Sequence, residues 1–308
     1  VGIRTVLCPI DFSSLSEYEV KLAVEVCETF GARLVLHHNL AATGPGFAKA
    51  WEWEETHHPA AGETTGEIVD DTEETAARRR MAKVLERVPG SVSTEARISR
   101  GPVGLVLLYL IEEIAADLVV LGSHGWSSEE HASLTERVIE SAPCAVLTFR
   151  EGGGEKDFRL AAAGEGEPPA VLVPTDFSDS AAAAVAYAFD LARACPLRIH
   201  LLHVRTARPQ MVPVNHTEIG GPAANGTAEE RLCELVPAEM AERAECHVAA
   251  GAVGDEILAA VERLGAELIV MGEHAPGFFR HYFTHDTARE VLHRARCPVW
   301  YVPPPKSR

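Results

Sequence analysis

The chain states one pattern twice. The segment VLCPIDFSSLSEYEVKLAVEVCETFGARLVLHH, beginning at Val6, returns as VLVPTDFSDSAAAAVAYAFDLARACPLRIHLLH, beginning at Val171. Asp11 answers Asp176 and His38 answers His203, both at an offset of 165 residues. Further on, RGPVG at 100–104 faces AGAVG at 250–254, and DLVVLGSHG at 117–125 faces ELIVMGEHA at 267–275, the offset now being 150. APCAVLTF at 142–149 faces ARCPVWYV at 295–302 at an offset of 153. A period this long is a whole domain rather than one turn of a solenoid. The 308 residues therefore hold two units of ordinary domain size, each able to bury its own core. Each copy also serves as a control for the other.

Charge narrows the function classes. A formal charge of −17 argues against nucleic acid or an anionic membrane surface as partner, because such binding uses clustered Lys and Arg to displace counterions. The one short basic cluster, ARRR at 77–80, reads as a solvated helix face. Seven dispersed cysteines with no C-x-x-C spacing indicate neither a disulfide framework nor a zinc ribbon, and fit buried thiols in a reducing compartment. The most apolar run, 103–111, is too short to span a bilayer, and no leader-like segment precedes the first strand. The expectation is a soluble cytoplasmic protein.

Within each copy, short runs rich in Val, Leu and Ile alternate with segments of helical period, the pattern of strand-helix units feeding a buried parallel sheet. Strands are predicted at 5–9, 33–38, 93–98, 118–121 and 145–149, and again at 171–174, 198–204, 245–249, 268–271 and 299–302. Helices are predicted at 14–30, 72–88, 104–115 and 134–141, with partners at 180–194, 228–241, 255–264 and 287–294. Ser14-x-x-Glu17 and Ser133-x-x-Glu136 have the form of capping boxes. The Gly- and Pro-rich, aperiodic stretch 151–169 is the expected linker between a first domain at 1–150 and a second at 170–308. A second irregular region, 41–71, carries Trp51, Trp53 and the pair His57-His58; its counterpart at 206–227 is shorter.

The motifs VPTDFS, LLHV, VMGEH and ARCPVWYV, whose counterparts stand in the same order in the first half, resemble the universal stress protein family, and the duplication resembles its tandem form. The resemblance covers nearly the whole chain apart from the linker and 41–71. It implies an α/β fold of two repeated doubly wound domains, each a five-stranded parallel sheet of order 3-2-1-4-5 with helices on both faces. It also implies an intramolecular pseudo-dimer joined through the fifth strands, 145–149 and 299–302, with a homodimer as a further possibility. Many members bind ATP, with magnesium, through G-x2-G-x9-G followed by Ser or Thr after the fourth strand. Such glycines bring backbone N–H groups close to phosphate oxygens, and the next helix adds its positive N-terminus. An Asp after the first strand and backbone after the second complete that pocket, at the carboxyl ends of the strands.

Each copy keeps different fragments of the loop. In the first, Gly122, Ser123, His124 and Gly125 hold the right spacing, but Ala132-Ser133 stand at the final pair after six intervening residues instead of nine, and Glu129 and Glu130 bring negative charge. In the second, nine residues separate Ala275 from His285, yet only Gly272 of the glycines remains and His285-Asp286 replaces Gly-Ser. A carboxylate there stabilises the helix start and repels phosphate. The first half is thus the better candidate for ATP, through Pro9, Asp11, Asn39, Gly122, Ser123, His124, Gly125, Ala132 and Ser133. Asp176, Val204 and Gly272 are the residual positions in the second. The alternative role for Asp11 and Asp176 is to cap the helix that follows.

Neither a P-loop, a G-x-S-x-G elbow nor H-E-x-x-H is present, so a dedicated enzyme is the weaker class, with slow ATP hydrolysis its most modest form. Two rivals to nucleotide binding stand. His281 and His285, four apart beside Asp286, have zinc-ligand spacing, the alternative being solvated loop histidines. A scaffold with no small ligand would instead present the 41–71 insertion and the apolar helix near 103–111 to an unknown protein partner, although that helix also reads as buried all round.

Overall fold

The computed structural model describes residues 2–40, 71–123, 129–150, 159–160, 167–206, 227–273 and 285–304. The insertion 41–70 and most of the expected linker lie outside them. Two compact units emerge, Ile3–Val120 and Leu121–Arg308, the latter with Val1–Gly2.

In the unit Ile3–Val120, strands β1 (Thr5–Pro9), β2 (Arg33–Leu40), β3 (Thr94–Arg100) and the start of β4 (Leu118–Ser123) run parallel in the order β3-β2-β1-β4. Helices α1 (Ser14–Phe30), α2 (Asp71–Leu85) and α3 (Val103–Glu113) make the crossovers. Val6, Leu7 and Cys8 of β1 and Leu34, Val35 and Leu36 of β2 are wholly buried. Strands covered on both faces need continuous apolar runs rather than alternation, which is how the sequence reads.

The unit Leu121–Arg308 contains α4 (Glu129–Ser141), β5 (Ala145–Arg150), β6 (Ala170–Pro174), α5 (Asp179–Ala194), β7 (Arg198–Arg205), α6 (Ala228–Glu234), β8 (Ala244–Ala250), α7 (Val253–Leu264), β9 (Leu268–Gly272), α8 (His285–Arg294) and β10 (Val299–Val302). Its strand order is β5-β10-β9-β6-β7-β8. Taken from β8 inward, the second repeat is 3-2-1-4-5, parallel throughout, and the first repeat's β3-β2-β1-β4 fills the first four places of the same order. The sheet reverses direction at one junction, where β5 of the first repeat pairs antiparallel with β10 of the second in the register Thr148↔Val299, Leu147↔Trp300 and Val146↔Tyr301. Trp300 is fully buried there, with Tyr187 of α5 against its ring. Right-handed crossovers place α5 and α6 on one face and α7 and α8 on the other, because the order reverses at β6.

Four local expectations need correction. The helix predicted at 228–241 stops at Glu234 and resumes as a 3-10 turn at Ala238–Arg243, because Pro237 cannot donate to a continuing ladder. Ser14 is already helical and the N-cap of α1 is Ser13, whose hydroxyl makes no capping bond. Ser133 lies inside α4, which begins at Glu129, so it is not the N-cap position. The capping box that does form is Thr227 with Glu230, at α6. Finally, α3 is not buried all round: Leu107, Leu110 and Ile111 face the core while Leu105 and Tyr109, four apart, are exposed.

Candidate ligand site

The turn after the first strand of each repeat is built in one way. Asp11 Oδ1 accepts from the Ser13 amide at 2.8 Å and from the Ser16 hydroxyl at 2.8 Å, and Asp176 Oδ1 accepts from the Ser178 amide at 2.9 Å. These are local Asp turns leading into the helix and not the helix caps that the sequence offered as an alternative, since the N-cap residues are Ser13 and Ser178. The residue after each Asp is forced left-handed, with φ of 61° at Phe12 and 64° at Phe177. For a non-glycine residue this costs about 1–2 kcal/mol. Each Phe ring packs on the histidine of the second strand, Phe12 on His38 at 4.3 Å and Phe177 on His203 at 4.7 Å between centroids. Arg231 stacks over Phe177 at 3.8 Å. His38 Nδ1 donates to the Ile10 carbonyl at 2.8 Å, and His203 Nδ1 to the Thr175 carbonyl at 2.9 Å. A carbonyl can only accept, so Nδ1 carries a proton in each ring.

In the second repeat this turn forms the rim of a cavity of about 420 Å³ at the carboxyl ends of β6, β7 and β9. Open parallel sheets hold ligands at such a crevice, where the strand order reverses, and the volume lies in the usual range for small-molecule sites. Ala181, Leu202, Val204, Val253, Ile257 and Met271 give it apolar walls. Thr175, Asp176, His203, Arg205 and Thr287 add polar groups. Asp176 and Arg205 are exposed at the rim, so among the described residues an anionic and a cationic group face solvent there.

Of the residues singled out from sequence, Asp176, Val204 and Gly272 all line this cavity. Gly272 has a packing reason of its own: a Cβ there would stand 2.3 Å from the Ser180 carbonyl oxygen in the first turn of α5. Its lack of a side chain lets β9 approach that backbone, whatever it does for a ligand. In the first repeat, Pro9, Asp11 and Asn39 belong to the unit Ile3–Val120, with Asn39 Nδ2 donating to the Gly101 carbonyl at 2.9 Å and to that of Leu40 at 3.2 Å. Gly122 and Ser123 belong to the other unit. The Gly122 carbonyl accepts from Thr135 Oγ1 at 3.2 Å, and the buried Ser123 hydroxyl donates to the Phe149 carbonyl at 3.0 Å, which turns it inward to the sheet. Ala132 and Ser133 fall within α4. His124, Gly125 and His281 lie outside the described residues, and His285 is the first residue of α8. Sequence reasoning missed the α7 contribution, Val253 and Ile257; the AGAVG echo marked that turn as repeated but not as a wall.

No helix among the described residues is long and apolar enough to cross a membrane. The family model described as the universal stress protein family matches residues 2–150 and again 169–303. Similar solved structures include a universal stress protein from Archaeoglobus fulgidus DSM 4304, 18% identical, covering 99% of this chain and 97% of that one at a TM-score of 0.66. A putative universal stress protein from Pseudomonas aeruginosa UCBPP-PA14 is 16% identical, with 98% and 94% covered and a TM-score of 0.57. A functionally unknown protein from Pseudomonas aeruginosa PAO1 is 14% identical, with 98% and 93% covered and a TM-score of 0.56. No curated protein matches. With the family pattern matched once in each half and the same α/β order built twice, the chain belongs to the universal stress protein family, in its tandem form.

Proposed function

We propose that the cavity of the second repeat binds an adenine nucleotide and that the protein is a nucleotide-responsive stress protein of the cytoplasm. One observation carries the reading: Asp176, Val204 and Gly272, the three positions that the family pattern assigns to this half, converge on one cavity at the strand ends. The chemistry of its lining fits the ligand. Flat aliphatic walls from Leu202, Val204, Ile257 and Met271 suit a purine, and the hydroxyls of Thr175 and Thr287 suit a sugar. Exposed Arg205 supplies a cationic side chain for a phosphate.

The charge pattern selects among nucleotides. Asp176 stands at the rim, and α8 opens with His285 and Asp286 where a phosphate-binding helix would offer free N–H groups. Each added phosphate meets like charge, so this repeat favours a monophosphate over magnesium-bound triphosphate. The residues bind and orient; no bond-making step is assigned to them. Isothermal titration of nucleotide-free protein with adenosine monophosphate and with magnesium ATP tests the reading. Binding of either nucleotide that is lost in Val204→Trp, with the far-ultraviolet circular dichroism unchanged, supports it; no heat with either overturns it.

A further inference from the structure

The two outermost strands of the second repeat carry a cluster that the ligand cavity does not use. His200 on β7 and Glu245 on β8 are register partners, and Glu245 and His247, two apart on β8, share a face of the strand. Three atoms converge. His200 Nδ1 lies 3.1 Å from His247 Nε2, and Glu245 Oε2 lies 3.6 Å from the first and 3.7 Å from the second. Ligands bonded to tetrahedral zinc at about 2.0–2.1 Å stand about 3.4 Å from one another, so this triangle has the size of one face of such a tetrahedron.

Hydrogen bonding explains only part of the arrangement. Two neutral imidazoles can share one proton at 3.1 Å, but the carboxylate is too far from either ring for a hydrogen bond and still faces both nitrogens. That is the placement a shared cation would need. His200 is almost wholly buried while Glu245 is largely exposed, so one ligand is anchored in the sheet and another stands at the surface.

The first repeat supplies the control. Its β2 and β3 place Val35 opposite Glu95, with Arg97 two residues on, at the positions of His200, Glu245 and His247. There Arg97 bonds Glu95 at 2.6 Å and Glu113 at 2.7 Å, a guanidinium supplying the positive charge. In the second repeat that cation is replaced by imidazole, and Glu113 has Arg263 as its counterpart.

We propose that His200, Glu245 and His247 form a zinc(II) site that clips the edge strand β8 to β7. Two features weaken it. Arg198 and Arg263 are close enough to oppose positive charge on the rings. His200 Nε2, which would carry the proton once Nδ1 binds metal, has no hydrogen-bond partner. The missing outer contact lowers affinity by about 10–100-fold relative to the same ligands with a complete outer shell. This site is independent of the nucleotide cavity.

Chelator-stripped protein should take up one equivalent of zinc(II) in competition with a chromophoric chelator, and cobalt(II) in its place should give the intense visible bands of a four-coordinate ion. His200→Val and His247→Arg, which install the first repeat's residues, should each lower the affinity at least 10-fold and abolish those bands. His281→Ala with His285→Ala should leave both signals intact. Because His247 is only partly buried, His247→Arg keeps the test open should His200→Val not fold. No stoichiometric uptake by the wild-type protein, uptake unchanged in His247→Arg, or uptake lost only with His281 and His285 overturns the proposal.

Discussion

The two repeats agree closely where the backbone turns and disagree where side chains meet. Both force a phenylalanine left-handed after the Asp, both stack it on a histidine, and both use that histidine to hold the carbonyl before the Asp. Yet Val35 answers His200, His37 answers Leu202, and Leu40 answers Arg205. The turn is part of the fold, since it ends one strand and starts a helix in the same geometry twice. The second strand's side chains are where the copies have separate chemistry, and exchanging residues between them is the natural way to probe it.

The largest effect is expected at Gly272. A side chain there meets the backbone of Ser180, which cannot swing away as a flexible side chain can, so Gly272→Val should cost about 3 kcal/mol in urea unfolding. A loss below about 0.5 kcal/mol would mean that the glycine serves the ligand rather than the packing of β9 on α5.

The next concerns His37, buried on β2 with neither ring nitrogen hydrogen-bonded, at the position of Leu202 in the other copy. Burial, then His38 and Arg97, pushes its pKa down from 6.5 to about 4. In the unfolded chain the ring takes up its proton near 6.5, so between the two values the unfolded state holds more protons. Stability is therefore fully present above pH 6.5 and falls as the pH drops toward 4, by about 3 kcal/mol. His37→Leu should remove that slope and raise stability at pH 7 by about 1–2 kcal/mol, because an unpaired buried imidazole is replaced by the apolar residue of the second copy. Urea midpoints measured from pH 7 to pH 4 would decide; an unchanged slope in the variant rules His37 out as its source.

The smallest contrast lies at the two N-caps. Ser178 Oγ accepts from the Ala181 amide at 3.3 Å, whereas the Ser13 hydroxyl makes no cap bond and is buried without a partner. Ser178→Ala should cost about 1 kcal/mol and Ser13→Ala close to nothing. Equal losses in thermal melts would show that both serines cap in solution.

Much of the fold was legible because the repeat let each strand be read twice and buried parallel strands announce themselves as apolar runs. Pro237 breaking the 228–241 helix was visible in principle, but a local breaker was outweighed by helical period on either side. The capping boxes failed for a different reason: at 14–17 Ser14 is already the first helical residue, and at 133–136 the helix begins a turn early. The site was half legible. Asp176, Val204 and Gly272 carry motif signals, while Ile257 and Val253 reach the cavity only because α7 crosses back over the sheet. His200, Glu245 and His247 were invisible, since two residues on one strand and one on another meet only through a register separated by about 45 positions.

The account turns on whether the second repeat's cavity holds a nucleotide. The direct measurement is titration calorimetry of wild-type and Val204→Trp protein with adenosine monophosphate and magnesium ATP. The prediction is a single site that prefers the monophosphate and disappears when the indole fills the cavity. Binding that survives Val204→Trp unchanged, or no binding of either nucleotide to the wild-type chain, would contradict it.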